Sequence, residues 1–123
     1  MPIIGLDHIN IRTTDVASSA EFYEDVFGFK YVQGPVVAGH QSNWLHDREG
    51  RAIIHFRVLE ADSSSTGPID HVALNCDGKA RILERLKARD VEHAVVSDLF
   101  PGVTQVYLED PHGVPLELYF DTE

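Results

Sequence analysis

The sequence predicts an α+β fold in which two βαβββ modules pair within a single domain, residues 1–123, and curl their sheets around a pocket. The first observation is a repeat: the segment Gly5-Leu-Asp-His-Ile-Asn-Ile recurs in the second half as Pro68-Ile-Asp-His-Val-Ala-Leu. The second is that each copy precedes a stretch of helical periodicity and then several alternating stretches. The third is a linker of small polar residues. These observations set module one at about 3–60, the linker at about 61–67 and module two at about 68–121.

The first module begins with an alternating stretch, 5–12, which predicts a strand. Thr14 or Asp15 can cap a helix that runs to Phe27, because both side chains accept hydrogen bonds from free backbone N–H groups. Gly28 suits the position after the last helical turn, where a left-handed conformation is common. Three further strands are predicted at 29–37, 42–47 and 51–59.

The second module repeats this order. A strand is predicted at 69–75, followed by a helix from Gly78 to about Arg89 with Asp77 as its cap. The segment from Asp110 to Gly113 predicts a tight turn, because proline presets φ and glycine tolerates positive φ. The remaining strands are predicted at 92–97, 104–109 and 114–120.

The strand that closes each module has one apolar face and one mixed face. Ile54 and Phe56 oppose His55 in the first, and Leu116 and Leu118 oppose Glu117 in the second. A sheet that is covered by helices on one side needs only one apolar face. The mixed face suits the wall of a partly wet pocket. It carries His8, Asn10, Arg12, His55, Arg57, His71, Asn75, Glu117 and Tyr119.

Charge and composition exclude some functions. A net charge of −10 opposes binding to nucleic acid. No apolar run approaches the ~18 residues that a membrane span needs. The start of the chain shows no secretory signal, and the single Cys76 cannot form an internal disulfide. A cytoplasmic location is therefore predicted.

Over essentially its whole length the chain resembles the vicinal oxygen chelate superfamily. The resemblance rests on the paired βαβββ order, on His8 and His71 embedded in the first strand of each module, and on the closing segment Asp110-Pro-His-Gly-Val-Pro-Leu-Glu117. The superfamily includes glyoxalase I, fosfomycin-resistance enzymes, bleomycin-resistance proteins, methylmalonyl-CoA epimerase and type I extradiol dioxygenases. In such folds the two modules pair so that their sheets curl around a metal.

The resemblance implies that His8, His71 and Glu117 are metal ligands. Two histidines and one carboxylate occupy one face of an ion and leave positions for substrate and oxygen. This set favours Fe(II), and Mn, Ni, Co and Zn can also occupy it.

His55 stands where glyoxalase-like members place a fourth ligand and extradiol dioxygenases place an acid-base histidine. A fourth ligand, a catalytic acid-base residue and a structural residue are all interpretations of it. Tyr107 matches a tyrosine that extradiol dioxygenases carry before the glutamate, where it is catalytic. The segment 98–104 lacks a further histidine of that family, which argues against an ordinary catechol pocket.

Four other residues on the mixed face are candidate substrate contacts: Arg12, Asn10, Arg57 and Tyr119. For Arg12 a surface salt bridge is the alternative. Trp44 is expected at the pocket mouth or, by the simpler interpretation, in the core. Asp7 and Asp70 precede the histidines and alternate to the other face, so contacts with a helix or turn are expected for them.

The leading functional prediction is a metal-dependent enzyme with extradiol dioxygenase-like oxygen chemistry on a small aromatic or hydroxylated substrate. The first alternative is a glyoxalase-like isomerase, lyase or thiol transferase. The second is a non-catalytic binder of small molecules such as drugs, which the acidic net charge would suit. Family members of this length usually dimerise, so a homodimer is expected.

Overall fold

The structure is a computed structural model that describes residues 2–61 and 65–121. The chain divides into two compact units, Met1–Asp62 and Ser63–Glu123. Each unit holds one helix and one four-stranded mixed sheet in the order βαβββ. The predicted α+β class and the two βαβββ modules are confirmed.

In the first unit the strand that closes the module lies inside the sheet. β4 pairs in parallel with β1 on one side and antiparallel with β3 on the other, while β2 forms the far edge. A late strand therefore lies between two earlier ones. The elements are β1 (Ile9–Thr13), α1 (Val16–Phe27), β2 (Lys30–Val37), β3 (His40–His46) and β4 (Ala52–Val58).

The second unit has the same topology. Its closing strand, β8, pairs in parallel with β5 and antiparallel with β7, and β6 forms the far edge. The repeat in the sequence is thus a repeat of strand order as well. The elements are β5 (Val72–Asn75), α2 (Lys79–Ala88), β6 (His93–Ser97), β7 (Thr104–Glu109) and β8 (Pro115–Phe120).

The alternation of the closing strands separates a core face from a face that stays accessible. Leu116, Leu118 and Phe120 are buried, whereas Glu117 and Tyr119 between them are partly exposed. β4 shows the same alternation, because Ile54 and Phe56 are buried. α1 packs against β2, β3 and β4, and its fully buried Tyr23 lies against the Phe56 ring. The mixed faces are consequently available for chemistry.

The two helix starts differ from each other. Asp15 caps α1, because its side chain accepts a hydrogen bond from the Ser18 N–H, and Gly28 ends the helix with a φ of 77°. The prediction that Asp77 caps α2 is wrong: Gly78 holds the cap position with a φ of 70°. An aspartate cap needs extended backbone, and here glycine supplies a left-handed one.

The first strand of each module is shorter than predicted. β1 starts after His8 and β5 starts after His71, because the parallel ladders begin at Ile9 and Val72. Part of the predicted linker, 62–64, lies outside the described residues. None of the described helices is long and apolar enough to cross a membrane.

Candidate metal and substrate site

The sheet registers place the site residues in equivalent rows of three. In the first unit His55 on the middle strand is aligned with Asn10 on one side and Trp44 on the other. In the second unit Glu117 is aligned with Ala73 and Tyr107. The two closing residues predicted from the sequence therefore occupy matching places.

His8 is held by its own neighbour. Its Nδ1 lies 2.6 Å from Oδ2 of Asp7, and its ring meets the edge of Trp44 at a centroid distance of 4.9 Å. The His55 ring centroid is 6.2 Å from that of His8. Because a carboxylate only accepts hydrogen bonds, the proton of neutral His8 is on Nδ1 and the lone pair is on Nε2.

His71 repeats this arrangement and adds a second carboxylate. Its Nδ1 lies 2.8 Å from Oδ2 of Asp70, and its Nε2 lies 3.2 Å from Oε1 of Glu117. The hydrogen bond to Asp70, together with the negative charges of Asp70 and Glu117, raises the pKa of His71 above its ordinary value. His71 and Glu117, which the sequence predicted as ligands, are therefore neighbours.

The far oxygen of Glu117 also has a partner. Gln105 donates from Nε2 to Oε2 of Glu117 at 3.2 Å. Gln105 is only 7% exposed. Its Oε1 is the one buried side-chain nitrogen or oxygen without a hydrogen-bond partner among residues 2–61 and 65–121. The amide holds the Glu117 carboxylate so that Oε1 faces His71.

His55 has different neighbours from the other two histidines. Its ring stacks on Trp44 with a centroid distance of 4.3 Å and an interplanar angle of 10°. Its Nδ1 lies 3.2 Å from the amide nitrogen of Asn10. An aromatic plane and an amide therefore fix the ring, and no carboxylate is involved in these contacts.

A cavity of about 490 Å³ opens beside the second row. His71, Tyr107 and Glu117 line it, and Tyr107 is 38% exposed. Its wall also includes acidic side chains, Asp70, Glu92 and Glu109. A small molecule in this cavity would meet two predicted ligands and the tyrosine hydroxyl.

Within residues 2–61 and 65–121, no three His, Cys, Asp or Glu side chains form a ready metal-binding group. A pair is present, however. Ligand atoms that bind a metal at about 2.1 Å in adjacent positions lie roughly 3 Å apart, which is close to the spacing of His71 Nε2 and Glu117 Oε1. The carboxylates on Nδ1 of His8 and His71 are the partners that metal-binding histidines usually have. The donor chemistry of His71 and Glu117 therefore fits a divalent metal.

The candidate substrate contacts lie in both sheets. Arg12 and Arg57 are exposed and aligned on adjacent strands of the first sheet. Tyr119 on β8 is partly buried and aligned with Gln105. Asn10 belongs to the row of His55. Their contact with a substrate stays a prediction.

Sequence reasoning missed four functional neighbours. The expectation that Asp7 and Asp70 contact a helix or turn is wrong, because each bonds the histidine that follows it. The repeated Asp-His dipeptide was the available signal. Trp44 was expected at the pocket mouth or in the core, and its stacking on His55 had no signal in the sequence. The contact of Gln105 with Glu117 likewise had no signal in the sequence.

Comparison with known proteins agrees with the fold. The family model for the Glyoxalase/Bleomycin resistance protein/Dioxygenase superfamily matches residues 5–118 of the sequence. The chain therefore belongs to this superfamily.

Two curated relatives cover nearly all of the chain. It is 28% identical over 120 residues to the uncharacterised protein YaeR of Escherichia coli K12, covering 91% of this chain and 92% of that protein. It is 22% identical over 125 residues to "Glyoxylase I 4" of Arabidopsis thaliana, covering 94% and 70%.

Among solved structures, the fosfomycin resistance protein FosX of Listeria monocytogenes superposes with a TM-score of 0.75 at 20% identity, covering 98% of this chain and 95% of that one. A glyoxylase/bleomycin resistance protein/dioxygenase domain from Frankia sp. EAN1pec gives 0.76 at 16%, covering 97% and 98%. At these identities the structures support the fold alone.

Proposed function

We propose that this protein is a divalent-metal-dependent enzyme that acts on a small molecule, with His8, His71 and Glu117 as the metal ligands. The observation that carries the proposal is the pair formed by His71 Nε2 and Glu117 Oε1, 3.2 Å apart, with the other nitrogen of His71 bonded to Asp70. His8 likewise has a carboxylate, Asp7, on Nδ1, which leaves the lone pair of the neutral ring on Nε2. Membership of a largely enzymatic superfamily supports the proposal.

A bound divalent metal would polarise an oxygen of the substrate and lower the pKa of its hydroxyl. The residues around the proposed ligands orient the donor atoms. Asp7 and Asp70 hold the histidine rings, and Gln105 holds the carboxylate, so the donor atoms are oriented before a ligand arrives. Preorganised donors need little rearrangement during the reaction.

Tyr107 and His55 are the proposed catalytic residues, because each is aligned with or beside a predicted ligand. The Tyr107 hydroxyl can donate a hydrogen bond to a substrate oxygen on which negative charge develops. Tyr107 lines the same cavity as Glu117 and is aligned with it across the strands. This alignment supports extradiol dioxygenase-like oxygen chemistry on a small aromatic or hydroxylated substrate, for which Fe(II) would be the metal.

A second candidate is redox-neutral chemistry of the glyoxalase type. The relative named "Glyoxylase I 4" favours it. The acidic wall of the cavity makes an anionic thiol conjugate a poor substrate for either reaction.

Metal reconstitution tests the proposal. Protein incubated without oxygen with Fe(II), Mn(II), Ni(II), Co(II) or Zn(II) in turn should bind one of these metals at a single site per chain. His71→Ala should weaken binding by more than about 100-fold, since losing a ligand costs more than losing its supporting partner. His40→Ala, which removes an exposed histidine elsewhere, is the matched control.

Each other outcome is informative. A loss within about tenfold in His71→Ala would show that the ligand set is wrong. No metal binding at all would favour a non-catalytic binder. For the metal-loaded protein, oxygen uptake with a catechol panel supports the first chemistry, and turnover without oxygen under Ni, Mn or Zn supports the second.

A further inference from the structure

The three histidines of the site differ in what faces Nδ1. For His8 and His71 the partner is a carboxylate, and for His55 it is the amide nitrogen of Asn10. We propose that Asn10 fixes His55 as the neutral tautomer with its proton on Nε2. His55 is thereby kept out of the metal ligand set and acts as a hydrogen-bond donor to the substrate. The last part of this inference rests on the proposed function.

In His8 and His71 the partner of Nδ1 is a carboxylate. A neutral imidazole carries one N–H, and its other nitrogen has a lone pair. An ionised carboxylate can only accept, so Asp7 places the proton of the neutral His8 ring on Nδ1. Nε2 of His8 then has the lone pair that a metal requires. His71 faces a carboxylate at both ring nitrogens, Asp70 at Nδ1 and Glu117 at Nε2.

His55 has the opposite polarity. The Asn10 amide nitrogen can only donate, so at 3.2 Å it pairs with a lone pair on Nδ1. The proton of the neutral ring is then on Nε2. That nitrogen has no free lone pair, so it cannot bind a metal or accept a proton, but it can donate a hydrogen bond to an oxygen.

Two further contacts hold the arrangement. Trp44 stacks on the ring at 4.3 Å, so the ring cannot turn its plane without losing this contact. Asn10 is aligned with His55 on the neighbouring parallel strand, so the backbone register brings the amide to the ring. The matching place in the second module is Ala73, which has no donor to offer Glu117.

The chemical consequence is a division of roles. Nε2 of His8 has the lone pair of a ligand, whereas Nε2 of His55 carries a proton that it can donate to an oxygen on which negative charge develops. A neutral histidine that polarises an oxygen by donation is a known catalytic strategy.

Tautomers can be measured directly in the metal-free protein. With ¹⁵N-labelled histidine at about pH 9, well above the ordinary histidine pKa of ~6.5, two- and three-bond ¹H–¹⁵N correlations show which ring nitrogen carries the proton. The expected result is Nε2–H for His55 and Nδ1–H for His8. An Nδ1–H tautomer for His55 in the wild-type protein would overturn the inference.

Asn10→Asp provides the decisive variant, because it changes the donor into an acceptor at the same size. His55 should switch to Nδ1–H and gain a ligand-type Nε2. Asn75→Asp, an exposed asparagine on β5, adds the same charge without a histidine beside it and should leave all three tautomers unchanged. An unchanged His55 tautomer in Asn10→Asp would contradict the proposal.

Metal binding gives a separate readout. If His55 becomes a ligand, Asn10→Asp should bind Zn(II) about tenfold more tightly or better, and the gain should vanish when His55→Ala is added. A gain that persists without His55 would contradict the inference. If no variant binds metal, the proposed function fails, yet the tautomer result still decides the role of Asn10.

Discussion

The two modules have the same strand order, but different side chains occupy the equivalent positions in their sheets. In the first, His55 lies between Asn10 and Trp44, and in the second, Glu117 lies between Ala73 and Tyr107. The first row fixes an imidazole by stacking and an amide, and the second fixes a carboxylate by a histidine and a buried glutamine. The two rows therefore differ in the partners that fix their central side chain.

The Asp-His pair at the start of each module is what the two halves share. Asp7 and Asp70 bond Nδ1 of the next residue at 2.6 Å and 2.8 Å. The same local device fixes one histidine ring in each half. The two modules therefore differ in the central residue of the closing strand, which is His55 in one and Glu117 in the other. Substitutions at these two positions can test the difference.

The largest expected effect comes from removing each closing residue in turn. Glu117→Ala should weaken metal binding by more than about 100-fold, whereas His55→Ala should change it by less than about tenfold, because only the first removes a ligand. Isothermal titration or competition with a chelator measures both. Equal losses in the two variants would show that His55 binds the metal and would remove the proposed difference between the modules.

The next largest effect concerns Tyr107. Tyr107→Phe should lower kcat about 100-fold without changing metal affinity, since it removes one hydrogen-bond donor from the developing charge. Tyr31→Phe in the first module is a matched control. If the metal affinity falls with the rate, Tyr107 supports Glu117 and does not contact the substrate.

Gln105 tests how the second module orients its carboxylate. Gln105→Leu removes the donor to Glu117 and should weaken metal binding by roughly 10–100-fold, the range typical for supporting residues. Gln105→Glu should do the same by adding a like charge. Metal affinity that is unchanged in both variants would mean that His71 alone orients Glu117.

The smallest effect concerns protonation of His71. The Asp70 hydrogen bond is the largest cause of its raised pKa, so Asp70→Asn should lower that pKa toward the ordinary value in the metal-free protein. Because the pKa is raised, the ion pairs of charged His71 stabilise the metal-free fold below its unfolded pKa. This contribution disappears as the pH rises through the folded pKa. An NMR titration measures the shift, and an unchanged pKa would show that Glu117 supplies it.

Much of the fold could be predicted because the signals are local. Asp15 and Gly28 bound α1 as expected. The turn from Asp110 to Gly113 forms as predicted: the Asp110 side chain accepts from two backbone N–H groups, and Gly113 takes a φ of 90°. Alternation in β8 correctly separated the buried leucines from Glu117. Caps, turns and alternation depend on a few neighbouring residues.

The site was predicted less completely. Alternation predicted that Asp7 and Asp70 lie on the face opposite the histidines that follow them. Each Asp-His pair, however, lies before the first residue that pairs with a neighbouring strand, so no sheet imposes alternation there. Whether the two units meet around one metal, and whether the chain forms a homodimer in the cytoplasm, stay predictions.

The sequence by itself determined the repeated βαβββ order, the Asp-His openings and the choice of His55 and Glu117 as closing residues. Only the tertiary structure decided what surrounds each of them. Asn10 and Trp44 reach His55, and Gln105 reaches Glu117, through strand registers between segments that are distant in the chain. The physical reason is that residue type sets which protons and lone pairs a side chain has, whereas the partner across the sheet sets where they are.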